Sequence, residues 1–157
     1  MPQHNTDFAE NQEPLRLGIA GLGTVGVAVI KIIEESAVML GARSGRQIVV
    51  QAVSARSRTL NRGVRLEGYV WCDDPLELAR RDDIDCVLEL IGGSDGPALE
   101  LVRASLAAGK SVVTANKALL ATHGAELARL AEKHGVALRF EAAVAGGIPL
   151  IKAVREG

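Results

Sequence analysis

The stretch Leu15-Arg16-Leu17-Gly18-Ile19-Ala20-Gly21-Leu22-Gly23-Thr24-Val25-Gly26 decides how this chain is read. Its first half is apolar enough for a buried strand, and Val25, Val29, Ile32, Ile33 and Leu40 then recur at helical spacing, predicting one helix from Val25 that ends by Gly41. Between them lies GxGxxG, in the strand, turn, helix context that a dinucleotide-binding turn requires. Gly21 permits the sharp exit from the strand, Gly23 lets the backbone approach a pyrophosphate, and Gly26 lets helix and strand pack closely. The helix then points its free N–H groups at the phosphates. A tight turn with no ligand is the competing reading, because 17 glycines in 157 residues produce such spacings by chance.

Outward from this turn, apolar runs alternate with helical patterns. Ile48 to Val53 is a β-branched strand candidate, reached through a turn-rich loop from Gly41 to Arg46. Ser54 to Gly68 is polar and arginine-rich; Tyr69 to Cys72 is a short strand candidate, and Asp74-Pro75 opens a helix. Asp85 to Ile91 is a strong strand. Pro97 to Ala108 is helical with Gly109 as its stop, and Ser111 to Thr114 is a strand. Leu119 to His134 is a helix closed by Gly135, and Val136 to Ala142 is a sixth strand. The alternation predicts an α/β fold, a Rossmann-type doubly wound parallel sheet with helices on both faces. Residues 1–14 are polar and are expected to be a disordered leader, with 15–157 forming one domain whose end, from about 146 to 157, is expected to start a link to a further domain.

Composition agrees. Hydrophobic residues make up 48% and aromatic ones 3%, which suits buried parallel strands under helices. A net charge of -1 supplies no basic field for nucleic acid or an anionic membrane. Cys72 and Cys86 lack metal-ligand spacing and read as reduced core thiols. With no apolar run near the ~18 residues of a membrane span and no signal-like start, the expected location is the cytoplasm.

In a doubly wound sheet ligands sit beyond the carboxyl ends of the strands. After the second strand, Ser54-Ala55-Arg56-Ser57-Arg58 offers arginines where NAD-specific sites place an acid, so Arg56, helped by Arg58, is a candidate for an adenosine 2′-phosphate and NADP(H) is favoured over NAD(H). A solvated basic loop is the alternative. After the next major strand, Ile91 and Gly92 can let a nicotinamide lie against backbone, although a simple glycine turn explains them equally. Glu89 is expected to meet a helix N-terminus or a polar neighbour rather than to perform acid-base chemistry. Asn116 and Lys117 follow the strand at Thr114, where substrate and nicotinamide should meet, and Lys117 is the candidate catalytic lysine. His123 and His134 lie too far apart on one helix to share a metal, and are expected at the surface.

GLGTVG, TANKALLA (Thr114–Ala121) and FEAAVAGGIPLIK (Phe140–Lys152) fall in the order and spacing of the homoserine dehydrogenase family, and the chain resembles its amino-terminal nucleotide-binding part. The resemblance implies NAD(P)-dependent interconversion of L-homoserine and L-aspartate 4-semialdehyde, in threonine and methionine biosynthesis. By position, Thr24 and Val25 resemble its cofactor contacts, and Lys117 its lysine near nicotinamide and substrate. Glu141, with the backbone oxygens of Val144, Gly146 and Ile148, resembles its monovalent cation site, usually sodium. Members of the family continue into a substrate and dimerisation domain, so a chain ending at Gly157 is expected to be catalytically incomplete, with a homo-oligomeric parent. A stand-alone dinucleotide sensor, or another two-domain amino-acid dehydrogenase, stays open at this point.

Overall fold

The computed structural model describes residues 12–140. In chain order the elements are β1 (Leu15–Ala20), α1 (Thr24–Glu35), α2 (Ala37–Ser44), β2 (Ile48–Ser54), β3 (Val70–Cys72), α3 (Leu76–Arg80), β4 (Cys86–Glu89), α4 (Pro97–Ala107), β5 (Ser111–Thr114), α5 (Lys117–His134) and β6 (Leu138–Phe140). Every strand pairing is parallel, and the order across the sheet is β3-β2-β1-β4-β5-β6. The chain therefore runs outward from β1 to one edge, returns to the centre, and runs outward to the other. That reversal between β1 and β4 opens a crevice at their carboxyl ends.

Alternation along the strands supplies a core to each face. Leu17, Ile19, Cys86 and Leu88 point toward Ile30, Ile33 and Leu40 of α1 and α2. Val87 and Val112 point the other way, toward Leu78 of α3, Leu101, Val102 and Leu106 of α4, and Leu127 of α5. Leu17, Ile19, Ile30, Leu40, Leu101 and Leu106 are completely buried, each stabilising by roughly 1.5–3 kcal/mol relative to exposure. Gly18 faces the second layer, and a Cβ there would meet Ile84 at 2.8 Å.

The single helix expected after the glycine turn is in fact two. The backbone leaves helical geometry at Ser36 (φ -111°, ψ 17°), although Ser36 N–H still donates to Ile32 and Leu40 N–H to Ser36. This bend brings Leu40 into the core while Val38 and Met39 stay exposed. Nor is Gly41 a stop: it is buried within α2, and the expected loop from Gly41 is helical to Ser44, ending at the left-handed Gly45. The remaining differences are at the ends. β4 stops at Glu89 rather than Ile91, because Glu89 turns the next amides onto its own side chain. α5 begins at Lys117 rather than Leu119, because Asn116 caps it by accepting from Leu119 N–H at 3.1 Å.

Ion pairs pin the opposite end of the sheet. Arg16 of β1 grips Asp85, just before β4, through its backbone N–H at 2.8 Å, Nε at 3.0 Å and Nη2 at 2.6 Å. The guanidinium holds the Asp85 carboxyl below the usual carboxylate range. Lys110 reaches the carbonyls of Arg81 (2.6 Å) and Ile84 (2.9 Å) from a nearly buried position. Among the described residues no helix is long and apolar enough to cross a membrane.

Candidate functional site

The turn after β1 is wedged between its neighbours. Gly21 N–H donates to Ser54 at the end of β2 (2.9 Å), and Leu90 N–H, beyond β4, donates to Ala20 (2.8 Å). Gly21 adopts φ +100°, and a Cβ on it would lie 2.4 Å from the Leu90 carbonyl oxygen. A Cβ on Gly26 would lie 2.0 Å from the Gly21 oxygen, so helix and turn touch backbone to backbone. Gly23 differs: nothing lies within 4 Å of its Cβ position. Two glycines are thus required by packing, and the middle one leaves open space.

Gly23 is also the N-cap of α1, yet no side chain caps the first turn and no acidic residue lies within it. The first-turn N–H groups and the positive end of the helix dipole are left to whatever occupies the crevice, which suits an anion. α5, by contrast, brings its own cap in Asn116. Thr24 and Val25 are exposed beside this space, as is Ile91 across the switch; Val25 and Ile91 are about 40% exposed despite being apolar.

A buried carboxylate shapes the far wall. Glu89 is fully buried at the end of β4; its Oε1 accepts from Ile91 N–H (2.8 Å) and Gly92 N–H (3.1 Å), and its Oε2 from the Thr114 hydroxyl (2.6 Å). Thr114 Oγ1 in turn accepts from Asn116 N–H (3.0 Å), and Asn116 Nδ2 donates to the Gly93 carbonyl (2.6 Å). Burying this carboxyl group is tolerable because its hydrogen bonds are made within the protein. Glu89 and Asn116 are therefore spent on shaping the loop after β4, as expected for Glu89. Lys117, the first residue of α5, is exposed beside them.

The β4–α4 loop is tied to α5 a second time. His123 Nε2 lies 3.0 Å from Asp95 Oδ1, and Ser94 donates to the other oxygen at 2.7 Å. His123, expected at the surface, is half-buried there and engaged by this contact, its side chain 18% exposed. His134 is exposed.

At the opposite end, Arg56 and Arg58 are exposed on the loop after β2, and the Arg58 guanidinium lies 6.0 Å from the centre of the Trp71 ring. The organising residue of this loop is one that sequence reasoning passed over. Arg62 donates from Nε to Leu22 within the glycine turn (3.1 Å), from Nη1 to Leu60 (3.0 Å) and from Nη2 to Ser57 (2.6 Å). Its signal was present in Asn61-Arg62-Gly63: Asn61 Oδ1 accepts from Gly63 N–H at 2.9 Å, a tight turn that directs the arginine between them.

Gly21, Gly23, Thr24, Val25, Gly26, Arg56, Arg58, Ile91, Gly92 and Lys117 therefore all follow carboxyl ends of β1, β2, β4 or β5, along one edge of the sheet. Glu141, Val144, Gly146 and Ile148 lie outside the described residues. A separate open groove of about 1200 Å³ runs along α5 and β6, lined by Ala121, Gly124, Ala125 and Ala128 and ending at Thr114, Ala115 and Lys117. It shares only that end with the crevice.

Comparison with known proteins agrees with this geometry. The family model described as "Homoserine dehydrogenase, NAD binding domain" matches residues 21–141. The chain is 45% identical over 145 residues to the homoserine dehydrogenase of Neisseria gonorrhoeae, covering 92% of this chain and 33% of that protein. It superposes on the crystal structure of a homoserine dehydrogenase from Thiobacillus denitrificans with a TM-score of 0.79 at 43% identity, covering 92% of this chain and 33% of the other. A hyperthermophilic archaeal homoserine dehydrogenase in complex with NADPH matches with a TM-score of 0.67 at 25% identity, covering 83% and 44% of the two chains. The chain spans about a third of the length of the curated relatives it matches. With the glycine turn, the parallel sheet and these likenesses in agreement, this chain belongs to the homoserine dehydrogenase family, of which it is the NAD-binding domain.

Proposed function

We propose that this domain binds NADP(H) in preference to NAD(H), in the crevice between β1 and β4, on behalf of an enzyme that interconverts L-homoserine and L-aspartate 4-semialdehyde in the cytoplasm. The observation that carries the reading is the uncapped start of α1 over the open space at Gly23, where a pyrophosphate can approach the backbone. NADPH in the archaeal relative supports the cofactor class. Arg56 and Arg58 follow β2, in a segment that carries no acidic residue until Glu67, and a guanidinium pair suits a 2′-phosphate.

Thr24 and Val25 would hold the phosphates and adjoining ribose, and Ile91 and Gly92 the nicotinamide half. Bound there, the dinucleotide supplies or accepts the hydride. Glu89, through Ile91 and Gly92, fixes the loop against which the ring lies. Lys117 would orient the substrate's carboxylate or carbonyl, as a compact cation at the same edge. The proposal extends, on the Phe140–Lys152 motif alone, to a sodium ion at Glu141, Val144, Gly146 and Ile148, and, on the family resemblance, to a homo-oligomeric parent enzyme.

Calorimetric titration of the 157-residue chain with NADPH and NADH, repeated on Arg56→Ala, tests the reading. Tighter NADPH binding that falls to the NADH level in the variant is expected. Equal affinities in the unaltered chain would overturn the NADP(H) assignment.

A further inference from the structure

We propose that Arg62 is a positioning residue for the adenosine 2′-phosphate: it holds the loop carrying Arg56 and Arg58 closed on the glycine turn, and so sets the preference for a 2′-phosphorylated dinucleotide. This rests on the NADP(H) reading above and deepens it.

Among the described residues, Arg62 ties that loop to the turn through its side chain: its Nε donates to Leu22 O at 3.1 Å, across 40 residues of sequence. The same guanidinium takes the Ser57 carbonyl, in the peptide chain between Arg56 and Arg58, at 2.6 Å, and the Leu60 carbonyl at 3.0 Å. One rigid fork thus fixes the distance between the phosphate-facing backbone and the two exposed arginines. Arg56 and Arg58 are long and solvated, and ordering them costs side-chain and backbone entropy that a pinned loop has already met. The pin is itself placed by local chemistry. Gly63 sits at φ +68° and its N–H is taken by Asn61, so the turn exposes Asn61 and Gly63 while Arg62 turns inward.

Lysine cannot replace this device. It carries the charge but not the planar fork, and cannot serve three carbonyls in fixed directions. Charge and positioning can therefore be separated. The loop also carries its own reporter: Trp71 is the one tryptophan in the sequence, and its ring centre lies 5.9 Å from the Arg62 guanidinium and 6.0 Å from that of Arg58.

The test compares the 157-residue chain with Arg62→Ala and Arg62→Lys, by acrylamide quenching of Trp71 without ligand and by NADPH and NADH titrations. Arg62 lies outside both apolar cores, so both variants should keep the circular dichroism of the parent. In both, quenching should rise and the NADPH-to-NADH affinity ratio should fall about tenfold, with NADH affinity changed less than about threefold. If Arg62→Lys keeps the original ratio, or if both cofactors weaken equally, the positioning role is overturned. If the unaltered chain shows no preference for NADPH, the NADP(H) reading itself fails and takes this inference with it. The two failures are distinguished by which protein shows them.

Discussion

The Cβ position of Gly26 lies 2.0 Å from the carbonyl oxygen of Gly21, so the first helix touches the turn that precedes it without room for a methyl group. Gly26→Ala should therefore force turn and helix apart, at about 1–3 kcal/mol, and lower the melting temperature. Gly23→Ala should do the opposite. Its Cβ would enter open space at φ -79°, so thermal melting should be unchanged while NADPH affinity falls. Melting followed by circular dichroism, beside calorimetric titration, separates the packing glycine from the ligand-facing one.

Glu89 satisfies three donors from a fully buried position. Glu89→Ala leaves the Ile91 and Gly92 amides and the Thr114 hydroxyl without this partner, and should cost about 3 kcal/mol or more. Glu89→Gln keeps one carbonyl oxygen for the two amides and should lose much less. Denaturant unfolding of the two variants gives the comparison. Equal losses would mean that charge, rather than the acceptor oxygen, holds the loop.

Acid should weaken the domain through Asp85. Its folded-state pKa is depressed, chiefly by the Arg16 hydrogen bond, so the unfolded chain takes up the proton first as pH falls. The stabilisation is fully present above the ordinary carboxylate value, ~3.9, and is lost as pH drops through the lower folded value. Asp85→Asn should lower the melting temperature at neutral pH and flatten the decline below about pH 4. Because both side chains are about a third exposed, salt should shrink the difference. Melting curves across pH at two ionic strengths check both expectations.

Cys86 is buried, and burial pushes its thiol up to about 12, with Asp85 adding to the shift; burial also raises Cys72. Neither should form a thiolate at neutral pH. A thiol reagent such as dithionitrobenzoate should find no fast-reacting group in the native chain and two in denaturant. Rapid native labelling of Cys72 or Cys86 would contradict the packing of the sheet face on which that cysteine lies.

What was legible in the sequence was what neighbouring residues decide. Leu15 to Ala20, the glycine spacing and the Asp74-Pro75 helix start are local signals, and each strand expected within 15–140 is present with shifts only at its ends. The bend at Ser36 was not legible, because α1 and α2 share one apolar periodicity and only the demand for Leu40 in the core separates them. The partner of His123 was not legible because Asp95 is 28 residues away in sequence. For Arg62 the local turn was readable but the partner was not: Leu22 lies 40 residues away and offers a backbone oxygen, which no side-chain pattern records. Glu89 was readable in outline, since a carboxylate within Cys86-Val87-Leu88-Glu89-Leu90 must find donors once buried, but which donors only the fold decides.

The central claim is that the dinucleotide lies in the β1/β4 crevice rather than in the groove along α5. Backbone amide shifts of the isotopically labelled 157-residue chain, followed by NMR during an NADPH titration, test it most directly. The account predicts saturable changes centred on Gly21 to Gly26, Ala55 to Arg58 and Ile91 to Gly92. Changes centred on Ala121, Ala125 and Ala128, or none at saturating NADPH, would contradict it.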